Sequence, residues 1–239
     1  MSNSADAPDH DRTSIIECRG VRIRNDPKII THRVRISLEK QRYEQDEAAR
    51  LDRIIAPGER ILELGAGLGF ISSLCARDER TEAVLCFEAN PELIEFIRET
   101  HALNGVAATV ENAVLTTAPG PARVNFYLRD TFWGSSLAPD ASPYRRVVSV
   151  PLRRFDKVAE RFRPSFIICD IEGAEVDLFA NARLNGVSKV LVEIHTAVTG
   201  RRGVARLFAA MAAQGFVYDE KLSRGSVILF VRPDHPLIS

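Results

Sequence analysis

Three polar residues close two apolar runs and carry the clearest chemistry in this 239-residue chain. Asp170 follows the run 165–169, and Glu193 and His195 close the run that starts at Lys189. Glu193 and His195, two positions apart in an extended run, face the same side of it. Polar groups in a strand covered on both faces cost stability unless paired. At carboxyl ends they point into the crevice where doubly wound sheets bind ligands. An imidazole titrates near neutrality, so His195 is a candidate general base. Asp170 or Glu193 could orient it or hold a substrate hydroxyl. A satisfied structural histidine is the plainer alternative. Asp170, Glu172, Glu193 and His195 could instead gather Mg or Mn; acid–base use is preferred and no metal ligand is assigned. Glu172 and Glu175 read as acids charging the start of the following helix.

A second group surrounds Gly65-Ala66-Gly67-Leu68-Gly69-Phe70, which follows an apolar strand and opens a helix. Glycines let the backbone turn sharply and approach a ligand closely. The spacing is GxGxG, not the GxGxxG of the dinucleotide fingerprint. Glu88 ends the next strand, nineteen residues after Gly69. An acid there, followed by Ala89, can accept hydrogen bonds from ribose hydroxyls; its alternative role is to charge the helix opened by Pro91. Glu63 precedes the loop. A carboxylate is a poor neighbour for pyrophosphate and a good one for the ammonium or sulfonium of S-adenosylmethionine. A buried acid bonded to backbone amides is its alternative. Asn112-Ala113 closes a third strand, where the amide could reach an adenine edge or cap a turn.

These residues need elements to place them. Short strands are expected at 60–64, 83–87, 108–114, 165–169 and 189–194. Helices are expected at 39–55, 70–77, 91–104, 175–182 and 204–214. A terminal hairpin, 216–221 with 226–231, turns around 223–225. Alternating β and α implies a parallel, doubly wound sheet. Residues 117–155 break the alternation with two β-like runs, 123–128 and 146–152, read as an inserted β-arm. Phe132 and Trp133 within it could wall the substrate, pack the arm or form a homodimer contact. The expected organisation is a disordered tail over 1–14, a basic segment with a covering helix over 15–58, and one ligand-binding domain over 59–239.

Composition narrows the class. The chain is 45% hydrophobic and 27% charged with zero formal net charge, which suits a globular domain rather than a polyelectrolyte binder. Residues 12–42 hold nine Lys/Arg against three Asp/Glu. That excess could meet phosphates or anionic lipid, or be a partly paired surface. Cys18, Cys75, Cys86 and Cys169 form no CxxC pair, and free core thiols fit a reducing cytoplasm. No signal peptide is expected from the polar first residues. No apolar run approaches the roughly 20 residues of a membrane span.

The stretches LELGAGLGF, CFEANPELIEFIRETHALNGV, CDIEGAEVDLF and VLVEIH resemble the FkbM-type S-adenosylmethionine-dependent methyltransferases, over about 43–195. The resemblance implies a Rossmann-like class I methyltransferase fold: a seven-stranded, mostly parallel sheet with a C-terminal antiparallel hairpin. It implies S-adenosylmethionine as methyl donor, S-adenosylhomocysteine as product, and a hydroxyl on a sugar, glycan or other natural product as acceptor. Tyr43-Glu44 matches a Tyr-Glu pair that the family places near the cofactor. The chain departs from many members in carrying Glu63 for Asp and Leu68 for Asn. N- or C-methylation, and a binding module using the basic stretch for nucleic acid or anionic membrane, are the alternatives. No NPPY-like motif points to DNA bases.

Overall fold

The computed structural model describes residues 14–139 and 143–234. The tail expected over 1–14 lies, but for Ser14, outside them. The chain opens with a hairpin of β1 (Ile15–Cys18) and β2 (Val21–Arg24), then α1 (His32–Glu39), α2 (Gln45–Ala48) and α3 (Leu51–Ile54). The single helix expected over 39–55 is therefore two short ones, each a single turn. Gln41 and Glu44 sit in the left-handed region, at φ 60° and 42°, and Arg50 leaves helical geometry. Backbone of that kind cannot continue a helix.

Strands and helices then alternate: β3 (Glu59–Leu64), α4 (Phe70–Arg77), β4 (Thr81–Glu88), α5 (Ile94–Leu103) and β5 (Ala108–Asn112). After an excursion come α6 (Phe155–Phe162), β9 (Phe166–Cys169), α7 (Glu175–Asn181), β10 (Lys189–Glu193) and α8 (Thr196–Ala213). The terminal hairpin is β11 (Val217–Arg224) and β12 (Val227–Val231). The excursion holds β6 (Val114–Thr116), β7 (Arg123–Leu128) and β8 (Arg146–Arg154), paired as a three-stranded sheet in the order β6-β8-β7. The arm thus begins at Val114, straight after β5, and ends before α6, an element the sequence reading missed. Its stripe of Phe155, Val158, Ala159 and Phe162 has helical spacing.

The main sheet has seven strands in the order β11-β12-β10-β9-β3-β4-β5. The five from β10 to β5 run parallel, and β12 pairs antiparallel with both β10 and β11. The expected fold is the one observed. Successive side chains of the central strands go to opposite cores. Ile61, Phe166, Ile168 and Leu191 meet the N-terminal segment and α4, while Leu62, Ile167, Val190 and Val192 meet α6, α7 and α8. Burial on both faces is why β9 and β10 read as unbroken apolar runs.

The N-terminal segment is tied to the sheet by one buried cation. Lys189, at the start of β10, is fully buried; its Nζ lies 3.1 Å from the Glu59 carboxylate and donates to Ile54 O at 2.5 Å. Removing one partner would strand the other charge, at a cost of about 3–5 kcal/mol. The basic stretch is partly paired: Arg24 contacts Asp26 and Glu99, and Arg35 contacts Glu39. Among the described residues no helix is long and apolar enough to cross a membrane.

Candidate active site

The carboxyl ends of β3, β4, β9 and β10 open into a cleft of about 810 Å³, roofed by the N-terminal segment and the arm. Its volume is that of a site for a drug-sized ligand.

One half is built of main chain. Gly65 has φ +87°, and a Cβ there would lie 1.7 Å from the carbonyl oxygen of Asp170. Only glycine lets the ends of β3 and β9 come this close. Gly67 faces the cleft, and Glu88 stands behind it. The Glu88 carboxylate accepts the Gly67 N–H at 3.0 Å and the Asn90 N–H at 2.7 Å. Burial pushes its pKa up to about 7 against those hydrogen bonds. Glu88 lines the cleft, where its carboxylate can also accept from a ligand hydroxyl. Ala89 and Ala113 also line the cleft.

Other residues singled out from the sequence lie behind this surface. Glu63 is 2% exposed, against Ser72 and Cys86, and burial raises its pKa to about 8. Ala66, Gly69 and Phe70 are outside the lining; Ala66 and Phe70 are core, and Gly69 starts α4. Asn112 is also outside it. Its side-chain amide donates to Glu88 O at 2.8 Å and Ala89 O at 3.0 Å, so it braces the turn after β4, the capping alternative, and its N–H groups are spent there.

The roof supplies Tyr43, Glu44, Phe132 and Trp133. Tyr43 stands edge-on against Phe70, with centroids 5.5 Å apart. Its hydroxyl and Glu44 Oε1 would each lie 3.4 Å from a Cβ at Gly67. Phe132 and Trp133 pack edge to face at 5.1 Å and line the cleft from the arm. The pKa values of Tyr43 and Glu44 are raised well above their usual ranges, by burial first and neighbouring acids second.

The other half is built of charged side chains. Asp170, Glu193 and His195 each bring one donor atom within 4.8 Å of the others. His195 Nε2 lies 3.5 Å from Asp170 Oδ1 and 3.3 Å from Glu172 Oε2. Its Nδ1 lies 3.5 Å from Glu175 Oε1. Burial opposes charge on the ring, but Glu175, Asp170 and Glu172 outweigh it and push the imidazole up to about 9. Asp170 is raised well above the carboxylate range, by burial and then by Glu193. Glu47, on α2, faces Glu193 and is raised to about 7, chiefly by burial. The surrounding acids thus favour the cationic form of His195 and lift it above the range of a free imidazole.

Glu175 stands in the first turn of α7, where it was expected, and has a second role there. It begins α7, but its carboxylate is fully buried and crosses to β10, accepting the His195 main-chain N–H at 3.0 Å and the Gly173 N–H at 2.8 Å. The sequence held a signal for this. Glu175, Leu178, Phe179 and Ala182 share helical spacing and are all buried, so Glu175 is a lone charge on an apolar face. Glu47 gave no comparable signal.

A family model described as the methyltransferase FkbM domain matches residues 63–218. Comparison with the curated proteins finds no match. Among solved structures, TYW2 of M. jannaschii in complex with AdoMet is similar at TM-score 0.50 and 14% identity, covering 92% of this chain and 84% of that one. A Pyrococcus abyssi tRNA (uracil-54, C5)-methyltransferase in complex with S-adenosyl-L-homocysteine is similar at TM-score 0.52 and 15% identity, covering 92% of this chain and 44% of that one. At such identities the likeness is one of fold.

Proposed function

The chain belongs to the FkbM methyltransferase family, and we propose that it transfers the methyl group of S-adenosylmethionine to a hydroxyl oxygen of a small-molecule or glycan acceptor. One observation carries this reading. A single cleft has the glycine loop with Glu88 on one side and Asp170, Glu193 and His195 on the other. Adenosyl-bound structures of the same fold support the choice of donor.

In this reading Gly65 and Gly67 give the adenosyl group close approach to main chain, and Glu88 accepts from its ribose hydroxyls. Tyr43 and Glu44 lie above the loop, where a carboxylate suits the donor's ammonium. The acceptor oxygen attacks the methyl carbon, the carbon–sulfur bond breaks, and its electron pair stays on sulfur. S-adenosylhomocysteine and a methyl ether leave. The lost hydroxyl proton passes to His195, while Asp170 and Glu193 hold the hydroxyl in line. His195 is available as a base in proportion as the pH approaches 9, so turnover climbs through the alkaline range. The acid-rich floor favours one second reading, an amine acceptor drawn in as its ammonium form; the labelled methyl's position in the product separates the two. Four buried free thiols fit a reducing cytoplasm as the place of work.

Calorimetry tests the donor site. S-adenosylmethionine should bind the wild type, and Glu88→Ala should weaken it by about tenfold or more, the worth of a charged hydrogen bond. Equal affinity in the two proteins would sink the ribose role of Glu88.

A further inference from the structure

We propose that Glu175 is the positioning residue of the acceptor half: it holds the His195 ring with Nδ1 turned inward and Nε2 presented to Asp170 and the cleft. The inference rests on the reading above only for the use to which His195 is put.

Three observations carry it. Glu175 is fully buried on the apolar face of α7, where an unpaired carboxylate would be costly. It is not unpaired, and its partners are particular ones. Oε2 accepts the Gly173 N–H at 2.8 Å, in the turn after β9, and Oε1 accepts the His195 N–H at 3.0 Å, at the end of β10. Oε1 also stands 3.5 Å from His195 Nδ1. One carboxylate thus joins the turns that follow two neighbouring strands and faces the inner nitrogen of the ring between them.

The opposite nitrogen is the one that meets the cleft. Nε2 faces Asp170 Oδ1 at 3.5 Å and Glu172 Oε2 at 3.3 Å. Glu172 reaches it from a left-handed backbone at φ 52°, and the next residue must be glycine: a Cβ at Gly173 would lie 2.5 Å from Val198 Cγ1. Asp170 Oδ1 is buried without a hydrogen-bond partner and Asp170 lines the cleft, so that side of the ring is open to a ligand. His195 Nδ1 makes no hydrogen bond either, and what faces it is the Glu175 carboxylate, an ion pair at 3.5 Å. A base oriented through its far nitrogen by a buried carboxylate is prepared to take a proton at the near one. The charged groups facing the ring are Asp170 and Glu172 from the turn after β9, Glu175 from α7 and Glu193 from its own strand; Glu47 of α2 reaches it through Glu193. Glu175 is the only carboxylate among them that meets the Nδ1 side.

Nitrogen-15 NMR of the histidine side chains in the full chain reads the claim directly. Above its titration midpoint the wild-type His195 ring should be the Nδ1–H tautomer; the Nε2–H tautomer would overturn the proposal whatever the protein methylates. In Glu175→Gln the midpoint should fall by about one pH unit, the usual effect of a neighbouring charge. The alkaline inflection of kcat should fall with it, and the plateau of kcat should drop about tenfold or more. The S-adenosylmethionine Kd should stay put. Glu175→Asp keeps the charge and should retain the high midpoint while losing plateau rate. An unmoved midpoint and inflection in Glu175→Gln reduces Glu175 to a structural acid. Should Glu175→Gln not fold, the wild-type tautomer alone decides. Failure of S-adenosylmethionine to bind at all would sink the methyl-transfer reading and leave the tautomer result standing.

Discussion

The two halves of the cleft satisfy their polar groups in different ways. On the adenosyl side, the Glu88 carboxylate is met by two main-chain N–H groups and Asn112 spends its amide on two main-chain carbonyls. On the acceptor side, carboxylates face one another. Glu47 opposes Glu193, Asp170 stands beside Glu172, and one imidazole serves three acids. Asp170 Oδ1 and His195 Nδ1 are buried without a hydrogen-bond partner. Glu172 on this side, like Glu44 above the glycine loop, reaches the cleft from left-handed backbone, a conformation that costs of order 1–3 kcal/mol and concentrates at functional sites. Apart from Glu63 Oε2, which is also buried without a hydrogen-bond partner, the first half has its polar groups satisfied before any ligand arrives. The second keeps charges whose balance a substrate must supply, and that is where reactivity belongs.

Breaking the first half should have the largest effect. Gly65→Ala places a methyl group on the Asp170 carbonyl. It should cost about 3 kcal/mol or more in urea unfolding and abolish donor binding by calorimetry. A variant that binds normally would mean that β3 and β9 need not meet there. The unbalanced half should respond in rate alone. His195→Ala should lower turnover about 100-fold or more while leaving the S-adenosylmethionine Kd within about twofold. Full turnover would remove His195 from the chemistry.

The smallest effect tests whether a buried acid of the first half is neutral in the fold. Burial lifts Glu63 to about 8, above its unfolded value. Its contribution to stability is then fully present below the unfolded pKa and lost as the pH rises through about 8. Glu63→Gln should therefore gain stability over the wild type by about 1 kcal/mol or more between pH 5 and pH 9. Parallel melting temperatures across that range would show that Glu63 stays charged.

This contrast also explains what could be read in one dimension. The sheet was legible because strands buried on both faces leave unbroken apolar runs, as in 166–169 and 189–192. The glycine loop was legible because close approach of main chain excludes every side chain. Residues 39–55 misled because Tyr43, Ala48, Leu51, Ile54 and Ile55 supply an apolar spacing that fits one helix, while Glu44, which lines the cleft, is left-handed and Arg50 leaves helical geometry. The acceptor half resisted for another reason. Acids at a helix start look alike in sequence whether they charge the helix, as was expected of Glu172 and Glu175, or cross to the next strand, as Glu175 does. Only the fold says that Glu47 meets Glu193 across about 150 residues of chain.

The Lys189 tie sets an order of assembly. The N-terminal part of the roof leaves the ribosome before the sheet, yet the cation that fastens Ile54 stands 135 positions later. Contacts of that separation form late, after the intervening loop has been closed by other structure. A nascent chain can build β3, the glycine loop and Glu88 well before β10 exists. The glycine loop then precedes the fastening of Ile54, and the acceptor pocket waits for β9 and β10.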